Sequence, residues 1–112
     1  PKDKYFLGMP KGKVVVVEDV TSTGTSLLET IDNLKKSWVA VAAALALTNR
    51  NELTDERKSV ETIMKETGVP YYAMSNALDL LPKLCKEKKP DPAIIESIKE
   101  SFKTYGTRPI SL

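Results

Sequence analysis

The sequence predicts an α/β protein: a parallel sheet with helices on its faces. Three observations carry that expectation. Residues 14–17 (VVVV) form an unbroken β-branched run, the pattern of a strand buried on both faces. Residues 39–47 (VAVAAALAL) form a second continuous apolar run. Around these runs, apolar residues recur at helical spacing, so that strand and helix alternate along the chain and crossover connections must join parallel strands.

Taken in order, residues 1–13 are polar and carry Gly8, Pro10 and Gly12, which reads as a loop or hairpin feeding the first strand. Leu27, Leu28, Ile31 and Leu34 define a helix from about Gly24 to Lys36, with Glu29, Asp32, Lys35 and Lys36 elsewhere on the wheel. The Ala-rich run 39–47 could be a buried helix, but its place between helical segments favours a strand. Thr54 or Asp55 is expected to cap the next helix, whose stripe is Val60, Ile63 and Met64 and which Gly68 ends. Residues 69–74 make a short aromatic strand. Ser75 or Asn76 caps a helix bearing Leu78, Leu81 and Leu84, interrupted or restarted at Pro82. The basic stretch 83–89 reads as a solvated helix end, where cations suit the dipole. Asp91-Pro92 then opens a last helix with Ile94, Ile95, Ile98 and Phe102 on its apolar face, ended by Gly106.

The gross composition fits one domain spanning residues 1–112, with 41% hydrophobic and 29% charged residues. A net charge of +2 is too small to argue for nucleic acid or a membrane surface. The absence of histidine removes His-based metal sites and Ser–His or Cys–His pairs from this chain. The single cysteine, Cys85, rules out an internal disulfide, agrees with a reducing cytoplasm, and reads as a small apolar residue on a helix face. No run approaches the roughly 18 apolar residues of a membrane span. The chain begins at Pro1 without methionine and moves quickly into a buried-type strand, so we expect it to be a fragment or to begin mid-protein.

In parallel sheets, ligands bind beyond the carboxyl ends of the strands. That brings residues 18–26, 48–52 and 75–76 to one edge. Glu18 and Asp19 directly follow four valines, and Val20 leads into Thr21, Ser22, Thr23, Gly24, Thr25 and Ser26, which open a helix. The first amides of that helix lack intrahelical partners and point where the dipole is positive. Gly24 permits close backbone approach or positive φ, and the hydroxyls of Ser22, Thr23, Thr25 and Ser26 can donate to phosphate oxygens. Capping alone would use one hydroxyl and at most one acid, leaving the rest unexplained. The carboxylates would repel a phosphate beside them, so they should face hydroxyls or a hydrated cation. A ribose 5-phosphate combines these requirements, and magnesium sharing the ribose hydroxyls would offset the acids.

Two weaker signals point to other nucleotide sites, and neither holds. GMPKGK (residues 8–13) lacks the spacing of a phosphate-binding P-loop and precedes a strand, so it reads as a turn. The TSTGTS stretch lacks the three-glycine dinucleotide fingerprint, which argues against NAD.

VVVVEDVTSTGTS resembles the phosphoribosyl-pyrophosphate signature of type I phosphoribosyltransferases: four hydrophobics, two acids, then a threonine- and glycine-rich loop. The chain beyond Ser26 is similar to the orotate members. Their next strand ends near an aspartate–arginine pair, where this chain has Thr48-Asn49-Arg50-Asn51-Glu52. Their Gly-Val-Pro is matched by Gly68-Val69-Pro70, with a Leu-rich helix after it, and Tyr105-Gly106 matches their ending. The resemblance runs from about Lys11 to Leu81. It implies a Rossmann-like type I core, incomplete here, and the C-terminal part of a cytoplasmic, homodimeric enzyme of pyrimidine synthesis. That enzyme would transfer the phosphoribosyl group of phosphoribosyl pyrophosphate (PRPP) to orotate, giving orotidine 5′-monophosphate and pyrophosphate, with Mg2+ bound mainly through PRPP.

In this frame Glu18 and Asp19 are the catalytic acids holding the ribose hydroxyls, Asp19 foremost, and residues 20–26 hold the 5′-phosphate. Arg50 is the candidate for orotate recognition, although Asn49 stands where the family has Asp. The resemblance also implies an upstream pyrophosphate loop and a mobile loop with a catalytic lysine, often from the neighbouring subunit. Nothing ties Lys2, Lys4, Lys11 or Lys13 to those roles, so the chain alone is expected to be inactive. The alternatives are a phosphoribosyltransferase of another base and a non-catalytic, nucleotide-binding regulatory paralogue. A signalling receiver domain would need an aspartate at a later strand end, where this chain has Thr48-Asn49 and Ser75-Asn76.

Overall fold

A computed structural model describes Gly8 and residues 10–112. Its elements run β1 (Lys13–Thr21), α1 (Thr25–Lys36), β2 (Ala40–Asn49), α2 (Val60–Thr67), β3 (Tyr71–Asn76), α3 (Ala77–Lys88) and α4 (Pro92–Tyr105), the expected order. The three strands are parallel in the order β1-β2-β3, with β2 in the middle. Val20 pairs with Thr48 and Thr48 with Ser75; one position on, Thr21 pairs with Asn49 and Asn49 with Asn76. The three polar strand ends therefore share one edge, as expected.

Helices α1 and α2 pack on one face of this sheet. Leu27, Ile31 and Leu34 of α1 join Val60 and Met64 of α2 over Val16 and Ala44, closed off by Val39 and Val69. Alanine at 44, fully buried, keeps the middle strand low, so both helices can approach it. A second cluster joins Leu78 and Leu81 of α3 to Ile98 and Phe102 of α4, with Ile110 and Leu112 beyond them.

The opposite face of the sheet differs from expectation. Val15, Val17, Leu47, Tyr72 and Met74 lie there at 50–70% exposure. The valine run reports what its residues require, covering on both sides, but among the described residues only one helical layer is present. β1 is thus half-covered instead of buried on both faces.

Two further corrections concern the helices. Ser59, not Thr54 or Asp55, caps α2, its hydroxyl accepting from Thr62 N at 3.3 Å. Thr54 instead closes the preceding turn, accepting from Lys58 N at 3.1 Å. Helix α3 begins at its expected cap, Asn76, which accepts from Asp79 N at 3.0 Å, and it runs unbroken through Pro82. The cost of the missing amide is offset by the packing of Leu78 and Leu81 just before it against α4.

Gly68 ends α2 at φ +78 as expected, and Gly106 follows α4. Gly106 matters for packing: a Cβ there would lie 2.7 Å from Phe102 Cδ1. The segment after α4 is pinned to the end of β2, with Leu53 N donating to Tyr105 O at 2.7 Å and Thr107 N to Asn51 O at 2.8 Å. Cys85 is a half-buried free thiol on α3. Gly8 and Gly12 both take positive φ, which suits the turn expected before β1; residues 1–7 and Met9 lie outside the described residues. Among the described residues no helix is long and apolar enough to cross a membrane.

Candidate functional site

The turn from β1 into α1 leaves its donors unused. Gly24 occupies the cap position at φ +84, and no side chain caps the helix. The hydroxyls around it are therefore not consumed by capping. The first α1 bond runs from Leu28 N to Gly24 O at 2.9 Å, so the amides of Thr25, Ser26 and Leu27 precede the helical ladder. They stand at the positive end of α1. The hydroxyls of Thr23 and Thr25 lie 3.1 Å apart at the rim. Both residues line an open depression of about 470 Å3 shared with Asp55, Lys58 and Glu66. Lys58 is already tied to Glu66 at 3.0 Å, so the attraction for an anion comes chiefly from backbone dipoles.

Behind the loop, helix α2 leaves no space. A Cβ on Gly24 would sit 2.8 Å from Val60 Cγ2. Glycine is required here twice over, by the left-handed backbone and by this contact.

The two acids occupy adjacent positions near the end of β1, so strand alternation sends them to opposite sides. Asp19 is exposed, and its Oδ1 accepts from Val20 N at 2.7 Å. Glu18 is partly buried. Its carboxyl is held above the ordinary glutamate range, first by that burial and then by the charge of Asp19. Hydroxyl donors or a cation placed against the exposed Asp19 would weaken its repulsion of Glu18.

Thr21 behaves differently from the other loop hydroxyls. It is 2% exposed, and its hydroxyl bonds the phenol of Tyr71 on β3. The Tyr71 phenol is pushed up chiefly by burial, with the Thr21 bond opposing and the charges of Glu61 and Glu18 adding to the rise. The Thr21 side chain is thus a structural tie between β1 and β3, while Ser22, Thr23, Thr25 and Ser26 remain at the surface or partly so.

At the end of β2, Arg50 N continues the ladder to Thr21 O at 2.8 Å. Its guanidinium meets Glu52 Oε1 at 2.7 Å and is 58% exposed, so part of its fork stays open to a ligand. Arg50 and Glu52 border a cleft of about 170 Å3 whose far wall is Leu81, Ile98 and Phe102. Asn49 beside it is buried and bonds Glu61 of α2. Thr48 and Ser75 join across β2 and β3 at 2.9 Å. Sequence reasoning gave no role to Asn51, Glu61 or Tyr71. Glu61 reads as an ordinary first-turn acid and Tyr71 as strand filler, and only tertiary placement brings them to the site.

Comparison with known proteins agrees with this fold. No protein-family model matches the chain. An orotate phosphoribosyltransferase of Cupriavidus necator is 33% identical over 104 residues, covering 88% of this chain and 44% of that protein. The crystal structure of orotate phosphoribosyltransferase from Aeropyrum pernix superposes with a TM-score of 0.58 at 33% identity, over 67% of this chain and 39% of that one. The enzyme of the same name from Francisella tularensis gives a TM-score of 0.59 at 25% identity, over 84% and 46%. The chain belongs to the type I phosphoribosyltransferase family. It spans less than half the length of the curated relatives it matches. Within this phosphoribosyltransferase chain, the strand–loop–helix of residues 14–26 and the polar ends of β2 and β3 form one continuous edge.

Proposed function

We propose that this chain is the ribose-phosphate-handling part of an orotate phosphoribosyltransferase. In that reaction orotate attacks C1 of PRPP, the C1–pyrophosphate bond breaks, and orotidine 5′-monophosphate forms. The observation that carries the reading is the uncapped α1 start at Gly24, with free amides and hydroxyls, set directly after an acid pair.

Each part has a physical task. The amides of residues 25–27 and the hydroxyls of Ser22, Thr23, Thr25 and Ser26 hold the 5′-phosphate. Asp19, with Glu18 behind it, accepts hydrogen bonds from the ribose hydroxyls and stabilises positive charge developing on the ring in an oxocarbenium-like transition state. Catalysis of this kind is mainly positioning and charge stabilisation. Two carboxylates alone are too few to cage a metal, so magnesium suits this edge when it arrives on PRPP, where it neutralises the departing pyrophosphate. Arg50, with part of its fork free, pairs with the orotate carboxylate. The catalytic lysine and pyrophosphate loop belong to the remainder of the enzyme, which we place in the cytoplasm as a homodimer.

Orotidine and uridine 5′-monophosphates differ only in the carboxylate on the base, so their comparison isolates it. Calorimetric titration should show tighter binding of the orotidine nucleotide, by about tenfold for one charged pair, and Arg50→Ala should erase the difference. Equal affinities for the two nucleotides would count against orotate and favour another base.

A further inference from the structure

Asn49 is 2% exposed at the end of β2, and both ends of its amide are used. Its Nδ2 donates to Glu61 Oε1 on α2, while its Oδ1 accepts from Asn51 N at 2.9 Å. Asn51 stands at φ +58, and its own Oδ1 accepts from Leu78 N at 3.0 Å, in the first turn of α3. Arg50 lies between them, its amide on Thr21 O. The backbone that presents the guanidinium is therefore closed by the Asn49 side chain. That side chain needs Glu61 to stay in register, because an amide without an acceptor at its nitrogen can turn over and offer Asn51 N a second donor.

The same turn of α2 reaches the other half of the site. Val60, next to Glu61, is the residue that packs on Gly24 of the phosphate loop. One residue touches the loop that takes phosphate, and its neighbour holds the turn that carries Arg50.

We infer that Glu61 is a positioning residue for base recognition, fixing the Arg50–Asn51 turn through Asn49 at a set place relative to the phosphate loop. This rests on the reading of Arg50 as the base contact. It also accounts for asparagine at position 49, where the resemblance implies aspartate: a carboxylate there could not donate to Glu61 and would be repelled by it.

The test is calorimetry on this chain with magnesium, using orotidine 5′-monophosphate, which spans both halves, and ribose 5-phosphate, which reaches only the loop. Glu61→Ala should weaken the nucleotide about tenfold, the scale of one hydrogen bond to a charged group, and leave ribose 5-phosphate within about twofold. Glu61→Gln keeps the acceptor and should bind like the parent. Asn49→Asp alone should weaken the nucleotide, and adding Glu61→Gln should restore it, because the new amide on α2 can donate to the new carboxylate on β2. Thermal unfolding confirms that each variant is folded. A nucleotide-to-sugar affinity ratio unchanged in Glu61→Ala, or no recovery in the double variant, overturns the positioning role while Arg50→Ala still lowers the ratio. A ratio that Arg50→Ala leaves unchanged overturns the base reading itself, and the inference with it.

Discussion

Gly24 and Val60 meet so closely that a single added methyl on the glycine would stand 2.8 Å from Val60 Cγ2. The loop at Gly24 is held from behind by a helix that sequence places thirty-six residues away, and its left-handed residue cannot carry a side chain. Gly24→Ala should therefore cost about 2 kcal/mol or more, summing left-handed strain and overlap. That corresponds to a fall in Tm of roughly 10 °C for a chain of this size. Circular-dichroism melting checks it, and Val60→Ala in the same chain should recover part of the loss. A melt unchanged from the parent would show that the contact is not rigid.

Thr21 and Thr23 are separated by one residue and should respond oppositely. Thr21→Val removes the tie to Tyr71 and should destabilise the chain by about 1 kcal/mol, with phosphate affinity preserved. Thr23→Val should weaken binding of ribose 5-phosphate several-fold with little change in Tm. The paired melt and titration separate the two roles; equal losses of affinity in both variants would mean that Thr21 reaches the ligand.

Much of the fold, and the place of the candidate site within it, was legible in the residues themselves. The valine run and the helical spacing of Leu27, Ile31 and Leu34 are strong periodic signals, and they place Glu18 to Ser26 at the strand end. The turn chemistry was weaker. Thr54, Asp55 and Ser59 are all good caps, and what selects Ser59 is the docking of Val60 against Gly24, a contact between distant segments. Pro82 signals a break by local rules, yet packing through Leu78, Leu81 and Phe102 holds α3 together. The open face bearing Val17 and Met74 was not legible either, because periodicity states a preference for burial without saying which element supplies the cover. For the same reason Asn49 reads in sequence only as a departure from aspartate, since its partner Glu61 sits on a separate helix.

The raised carboxyl of Glu18 carries a pH signature. A carboxyl that holds its proton more tightly when folded than when unfolded binds more protons in the native state, so stability falls as pH rises. The fall should occur between the ordinary glutamate range and the raised value, with burial as its main cause and Asp19 as the second. Glu18→Gln should lack this slope, matching the parent at acid pH and melting slightly higher above the window. A parent and variant with parallel melting profiles from pH 4 to pH 7 would contradict the assignment.

The central claim is that residues 18–26 form a site for ribose 5-phosphate in which Asp19 holds the sugar. Calorimetric titration of PRPP with magnesium, on the parent and on Asp19→Asn, tests it most directly. Binding by the parent and a loss of about tenfold or more in the variant, with unchanged Tm, is the result expected for a lost charged hydrogen bond. Equal affinity in the two proteins, or no binding by the folded parent, would contradict it.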